Sequence, residues 1–238
     1  MRFVDYFDRV SVINLPERTD RRRDMEQELL RLGFSLAGDQ VEFFAAIRPD
    51  RPEPFEKIGY KGCYLSHLQI LERAHSDGLN NILIAEDDLA LSPQFWQQEP
   101  SLVAQLQAGR WDLVQFGYLG TLPELSDRPL GTLQPGVGEP IGSHFYAVNG
   151  RAIAPLIHFL RAMLQRPPGH PDGGPMSPDG ALTCFRQQHP ERVCLIAHPS
   201  LGGQRSSASD VSPKWFDRVP GLHQLASVLR EPGSGVRG

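Results

Sequence analysis

Residues 81–88 read NILIAEDD: the apolar side chains Ile82, Leu83, Ile84 and Ala85 run without interruption into three carboxylates, Glu86, Asp87 and Asp88. A strand with one wet face alternates apolar and polar residues, so an unbroken run predicts a central parallel strand covered on both faces, over 81–85. Open α/β sheets bind ligands at the carboxyl ends of such strands, which is where the three acids fall. Adjacent carboxylates repel one another. A hard divalent cation, Mg²⁺ or Mn²⁺, held by one or two of them together with ligand phosphates relieves that repulsion. The competing reading is a solvated turn between strand and helix.

Working outward, the chain alternates strand and helix. Val10, Val12, Ile13 and Leu15 form a β-branched run that stops at Pro16, predicting a strand over 9–15. A helix follows from Thr19, with Asp20 and Asp24 near its positive end, Met25, Leu29 and Leu32 on one face and Gly33 as a left-handed cap. A second strand is read at 41–46, a helix at 62–77 with Leu68, Leu71 and either Ala74 or His75 inward and Gly78 as its stop, a helix at 93–108 and a strand at 112–116. The second half carries two Gly/Pro-rich stretches, 117–142 and 166–178, read as long mobile loops. Between and after them lie a strand at 143–148, a helix capped by Asn149 with Ala152, Leu156, Phe159 and Met163 as its stripe, a helix at 179–188 and a strand at 192–197. The EPGSGVRG end, 231–238, reads as a disordered tail. This is an α/β protein with a single domain over 1–230.

Composition narrows the partners. The 238 residues include 24 basic and 28 acidic side chains, for a net charge of −4, and are 40% hydrophobic, so a core without metal or disulfide staples is within reach. Mild acidity argues against nucleic acid as a partner. All basic residues except Lys57, Lys61 and Lys214 are arginines. Cys63, Cys184 and Cys194 are odd in number and lack CxxC spacing, which fits a reducing compartment. Asp5, Asp8 and Arg9 interrupt the apolar start, so no signal peptide is read there, and no stretch approaches the roughly 18 apolar residues of a membrane span. The expectation is a cytoplasmic protein, with peripheral contact at the inner face of a membrane left open.

Arg18, Arg21, Arg22 and Arg23 cluster at the exit of the first strand, on or before the first turn of a helix. Guanidinium forks and helix N-terminal N–H groups together suit a diphosphate, against the plainer reading of a solvated helix face. There is no GxxxxGK[ST], GxGxxG, HExxH or GxSxG, which excludes a P-loop and weakens dinucleotide, zincin and hydrolase-elbow readings. A signalling receiver also places acids after a buried strand. It requires an aspartate at the end of a later strand, and here 112–116 runs into Gly117. Cys63 reads as a packed small side chain, with no base at recognisable spacing.

Six blocks, VINLPERTDRRRDM, GCYLSH, ILIAEDD, GSHFYAVNGRAIAPL, SPDGALTCF and AHPSLGGQRSSASDV, occur in this order over about residues 10–212 and resemble the successive blocks of glycosyltransferase family 25. That family includes bacterial lipooligosaccharide galactosyltransferases and the galactosyltransferase domains acting on collagen hydroxylysine. The resemblance implies a GT-A type, Rossmann-like mixed sheet flanked by helices, with a donor half at about 9–117 and an acceptor half at about 118–212. It implies an inverting, metal-dependent hexosyltransferase that moves a sugar, galactose as the best guess, from a UDP-sugar to a saccharide, lipid-linked or on lipopolysaccharide.

Residue by residue, the resemblance implies donor contacts at Asn14, Leu15, Arg18, Arg22, Ser66, His67, Glu86 and Asp87. It implies Mn²⁺ or Mg²⁺ at Asp88, with Glu86 and His198 as further ligands, and Asp179 as general base. His144, Tyr146 and Gln204 fall on the acceptor side, although a structural role is the plainer reading for His144, Tyr146 and His198. Pro16 and Glu17 depart from the basic residues the family often carries, and Glu86 takes the first place of the acidic motif. The alternative is a non-catalytic sugar-nucleotide or glycan binding module.

Overall fold

The computed structural model of the protein describes residues 1–205. The expected tail at 231–238, the end of the expected domain, Lys214 and the SSASDV part of the last block lie outside the described residues.

Seven strands form one sheet in the order β2-β1-β3-β7-β5-β8-β6, built from β1 (Arg9–Asn14), β2 (Val41–Ala45), β3 (Asn81–Glu86), β5 (Leu113–Gln115), β6 (Thr132–Pro135), β7 (Phe145–Asn149) and β8 (Cys194–His198). β1 pairs parallel with β2 and β3, and β5 with β8, whereas β7 runs antiparallel to β3 and β5, and β6 antiparallel to β8. The sheet is therefore mixed, and β3 is parallel to one neighbour only.

Helices cover both faces. α1 (Thr19–Leu32) and α3 (Pro93–Ala108) pack on one, α2 (Ile58–Ser76), α4 (Gly150–Leu164) and α5 (Pro178–Gln188) on the other. Alternation along β3 divides its apolar run between the two cores: Ile82 and Ile84 join the α2 and α4 side, Leu83 and Ala85 the α1 and α3 side. That explains why the run has no polar residue. The same alternation aims Glu86 toward α2 and Asp87 toward α1. Because β1 connects outward to β2 and the chain then crosses back to β3, the crevice beyond Asn14 and Glu86 is a topological switch point.

The punctuation residues act as the sequence predicts. Gly33 ends α1 at φ +90°, Gly78 follows α2 at φ +67°, and the Asn149 side chain accepts from Arg151 N–H at the start of α4. Two differences and one resolved alternative stand out. α2 begins at Ile58 rather than 62, because Lys57 already has the extended cap conformation. Of the two residues left open near its end, Ala74 is the buried one and His75 is exposed. The loop read at 117–142 contains β6, and a short ribbon of β4 (Leu89–Leu91) against β9 (Gly202–Gln204) brings the chain back over the acidic triplet. Strands of three or four residues leave too little periodicity to read.

Candidate active site

At the crevice between β1 and β3, Asn14 Nδ2 donates to Asp87 Oδ2 at 2.7 Å and Arg21 Nη1 lies 3.0 Å from Asp87 Oδ1. The Asp87 backbone N–H donates to Ile13 O at 3.1 Å. Burial pushes the Asp87 carboxyl up, and Asn14 and Arg21 offset part of that rise. Asp87 is thus a buried clamp tying the exits of β1 and β3 to α1, and its oxygens are occupied within the fold.

Asp88 is different. Its Oδ2 stands 3.7 Å from Arg21, beyond a hydrogen bond, and its Oδ1 is buried with no hydrogen-bond partner among the described residues. Its carboxyl is pushed up to about 7, first by burial and then by the charge of Glu86, with Asp87 adding to it and Arg21 opposing. Two neighbouring carboxylates and one shared guanidinium leave it short of positive charge. An orphaned oxygen in that field fits a hard divalent cation.

On the other face, Glu86 Oε1 accepts from Ser143 Oγ at 2.8 Å and lies 3.9 Å from Cys63 Sγ and 3.6 Å from His67 Nε2. Burial by itself would raise the Glu86 carboxyl, but His67, the charge of His144 and the Ser143 hydroxyl outweigh it and hold it below the usual range. His67 Nδ1 shares a proton with the Tyr146 hydroxyl at 2.9 Å. Burial pushes that phenol well up, as do Cys63 and Glu86, so it stays protonated. When it donates to Nδ1, the imidazole proton sits on Nε2 and faces Glu86; when it accepts, Nε2 presents a lone pair instead.

The GCYLSH block divides in two on this helix. A Cβ on Gly62 would stand 2.6 Å from Ile47 O, and Ser66 Oγ, fully buried, donates to Gly62 O while accepting from Ile47 N–H, both at 2.8 Å. Gly62 and Ser66 therefore seat α2 against the chain leaving β2. This corrects the expected donor contact for Ser66, whose hydroxyl is consumed in packing. Cys63 and His67, one position on and four apart, point at Glu86.

Asp179 stands in the first turn of α5, where its Oδ2 accepts from the Gly142 N–H at 3.0 Å; Gly142 reaches this turn at φ +103°, which favours glycine. Burial raises the Cys63 thiol most, and the charges of Glu86, Asp179 and Asp88 raise it further. Arg18 precedes α1, half-buried, and grips Asp20 through Nε and Nη2 at 3.1 and 3.0 Å, which holds that carboxyl down at about 2; Leu15 is half-buried beside it.

Five other expected site residues separate from the crevice. Arg22 is turned outward, 3.0 Å from Glu26 and 4.1 Å over the Phe43 ring. His144 is fully buried and its Nε2 contacts Gly202 O at 3.0 Å, and Tyr146 is likewise buried beneath His67, so neither presents a surface to an acceptor; as side chains of a central strand entrance they pack inward. Gln204 is exposed on β9 opposite Leu89. His198 ends β8 opposite Thr132, at the sheet's other side, and the expected Glu86, Asp88 and His198 set is not assembled. Among the described residues, the three possible ligand atoms that gather within 4.8 Å of one another belong to Cys63, His67 and Glu86.

Sequence reasoning missed Ser143, whose only signal is its place just before β7, and set aside Cys63, whose signal is its i, i+4 spacing to His67.

A two-sided α/β sheet with acids gathered at its switch point defines a ligand-binding α/β protein. The particular family follows from comparison. Residues 7–113 match the sequence model of Glycosyltransferase family 25 (LPS biosynthesis protein). VINLPERTDRRRDM, GCYLSH and ILIAEDD lie inside the match, and the three later blocks lie beyond it.

The chain is 32% identical over 130 residues to a glycosyltransferase 25 family member of Anopheles gambiae, covering 45% of this chain and 21% of that protein. It is 33% identical over 129 residues to procollagen galactosyltransferase 1 of Danio rerio, covering 47% and 21%. It is also 32% identical over 136 residues to inactive glycosyltransferase 25 family member 3 of Homo sapiens, covering 50% and 23%. The matched stretch spans about a fifth of the length of these curated relatives. A glycosyltransferase involved in the glycosylation of the major capsid of PBCV-1 has a similar chain course, with a TM-score of 0.49 and 13% identity over 80% of this chain and 82% of that one. These likenesses to family 25 sequences support glycosyl transfer. No helix of the described residues is long and apolar enough to cross a membrane.

Proposed function

We propose that this protein transfers a hexose, galactose first among candidates, from a UDP-sugar to a saccharide acceptor with inversion at the anomeric carbon. The observation that carries the reading is Asp88, a buried carboxylate with an unpartnered oxygen at the switch point of a family 25 segment. In this reading Asp88 holds Mn²⁺ or Mg²⁺, with Glu86 adjacent. The cation supplies charge neutralisation for the departing diphosphate.

The chain's own residues do the rest. Arg18, Arg21 and the N–H groups opening α1 receive the diphosphate, and Asn14 and Leu15 line the exit of β1 beside the nucleoside. Asp179, anchored through Oδ2 to Gly142 N–H, takes the acceptor hydroxyl's proton as the new glycosidic bond forms. His67 and Tyr146 hold Glu86 ionised as positioning residues. The later loops form the acceptor half, and a glycan on a lipid carrier or lipopolysaccharide core, met at the inner face of a bacterial membrane, suits a family described by LPS biosynthesis.

The test is UDP release from UDP-galactose and UDP-glucose with and without Mn²⁺, with a saccharide acceptor mixture and an Asp88→Asn control. Metal-dependent release that the substitution abolishes supports the transferase. The inactive human relative favours a second reading, a binding module. Glycan binding with no UDP release in any arm would decide for that one.

A further inference from the structure

We propose that Cys63, His67 and Glu86 form a binding site for a thiophilic divalent ion, Zn²⁺ by preference, separate in chemistry from the oxygen-ligand position at Asp88. Two observations carry it. First, a helix presents Cys63 and His67 on one face at i and i+4 while the end of β3 supplies Glu86, and all three ligand atoms lie within 4.8 Å of one another. Second, His67 is 3% exposed, yet its Nε2 has no hydrogen-bond partner among the described residues and is aimed at the other two.

The spacing suits the ion. Zinc–sulfur and zinc–nitrogen bonds at tetrahedral angles put ligand atoms about 3.3–3.6 Å apart. Here Glu86 Oε1 stands 3.6 Å from His67 Nε2 and 3.9 Å from Cys63 Sγ, within a few tenths of an ångström of those separations, and Cys63 Sγ and His67 Nε2 lie within 4.8 Å of each other. One sulfur, one imidazole nitrogen and one carboxylate with a fourth position open is a zinc ligand set, and a poor one for Mg²⁺ or Mn²⁺. Tyr146 supplies the outer contact that metal-bound imidazoles need: its oxygen, 2.9 Å from Nδ1, accepts the imidazole proton and leaves the Nε2 lone pair for the ion. On ligation the Cys63 thiol loses its proton to solvent, and the ion takes the sulfur lone pair with no change of oxidation state. Cys63 and Glu86 each keep part of their surface at solvent, which leaves the ion a way in.

The experiment uses the full chain, stripped with chelator and titrated with Zn²⁺ against a chromophoric competitor, and in parallel with Co²⁺ followed in the near ultraviolet. The expected result is one Zn²⁺ per chain and a thiolate-to-cobalt charge-transfer band. Cys63→Ser, close to isosteric, removes the band and weakens Zn²⁺ at least about tenfold. His67→Gln weakens Zn²⁺ similarly, and circular dichroism verifies that both variants are folded. Asp88→Asn leaves Zn²⁺ affinity within about twofold, whereas it abolishes Mn²⁺-dependent UDP release if the transferase reading holds, so the two proposals fail independently. Absence of stoichiometric Zn²⁺, or binding indifferent to Cys63→Ser in folded protein, overturns the site and leaves Cys63, His67 and Glu86 as a hydrogen-bonded cluster.

Discussion

On the α1 side of β3, Asp87 meets Asn14 at 2.7 Å and Arg21 at 3.0 Å; on the α2 side, Glu86 meets Ser143 at 2.8 Å with His67 and Cys63 close behind. Both carboxylates take their shortest hydrogen bond from a strand or its approach, Asn14 for Asp87 and Ser143 for Glu86, with side chains of the helix over their face beside it. Asp88, past the end of the strand, belongs to neither side, and among the described side chains the nearest cation is Arg21 at 3.7 Å. Adjacent acids of one motif thus have three fates: a structural clamp, an ionised centre of a soft-ligand cluster, and an uncompensated charge. What separates them is strand alternation followed by strand termination, which a string of acidic letters does not display.

The largest effect is expected where compensation is missing. Because the Asp88 carboxyl is raised from 3.8 to about 7, the folded state holds its proton more tightly than the unfolded chain does, so this group lowers stability as pH climbs through that interval. Asp88→Asn should remove the penalty, stabilising the protein at pH 8 by up to about 4 kcal/mol and by almost nothing at pH 4, as read from urea denaturation at both pH values. Glu86 has the opposite sign. Its lowered carboxyl stabilises the fold above the ordinary carboxylate range and loses that contribution as pH falls through its folded value, so Glu86→Gln should flatten the acid limb of the same stability profile.

Breaking the clamp comes next. Asp87→Ala strands the buried Asn14 amide and the Arg21 guanidinium, and a cost of about 3 kcal/mol in denaturant midpoint analysis is expected. Parity with the Asp88 substitution in sign would dissolve the distinction between the two acids. Tyr146→Phe removes a single buried hydrogen bond to His67 and should cost about 1 kcal/mol. Smallest is Arg22→Ala, which gives up contact with the Phe43 ring and Glu26 for about 0.5 kcal/mol in thermal denaturation and leaves the KM for UDP-sugar unchanged.

Much of the architecture was legible because its signals are local. The NILIA run reads as doubly buried because alternate residues serve two cores, and helix 93–108, the caps Gly33 and Asn149 and the 152, 156, 159, 163 stripe follow from periodicity and φ preferences that neighbours a few residues away decide. β4, β6 and β9 were not legible, since their stability comes from partners far along the chain. In the site, the acidic triplet and the arginine cluster were visible as clusters. That Arg22 turns away while Arg21 turns in was not, because one step along a helix is a rotation of about 100° relative to a sheet the sequence does not locate. Ser66 and His67 show the same limit one residue apart.

The order of residues by itself determined that strand and helix alternate, that a fully apolar strand ends in Glu86, Asp87 and Asp88, and that basic residues follow the first strand. Tertiary structure alone decided which acid is paired, which is held ionised and which is left exposed to its neighbours' charge. Charge compensation depends on distance and burial in three dimensions, and the donors that provide it here come from Asn14 and Arg21, 73 and 66 residues away from Asp87, and from Ser143, 57 residues beyond Glu86.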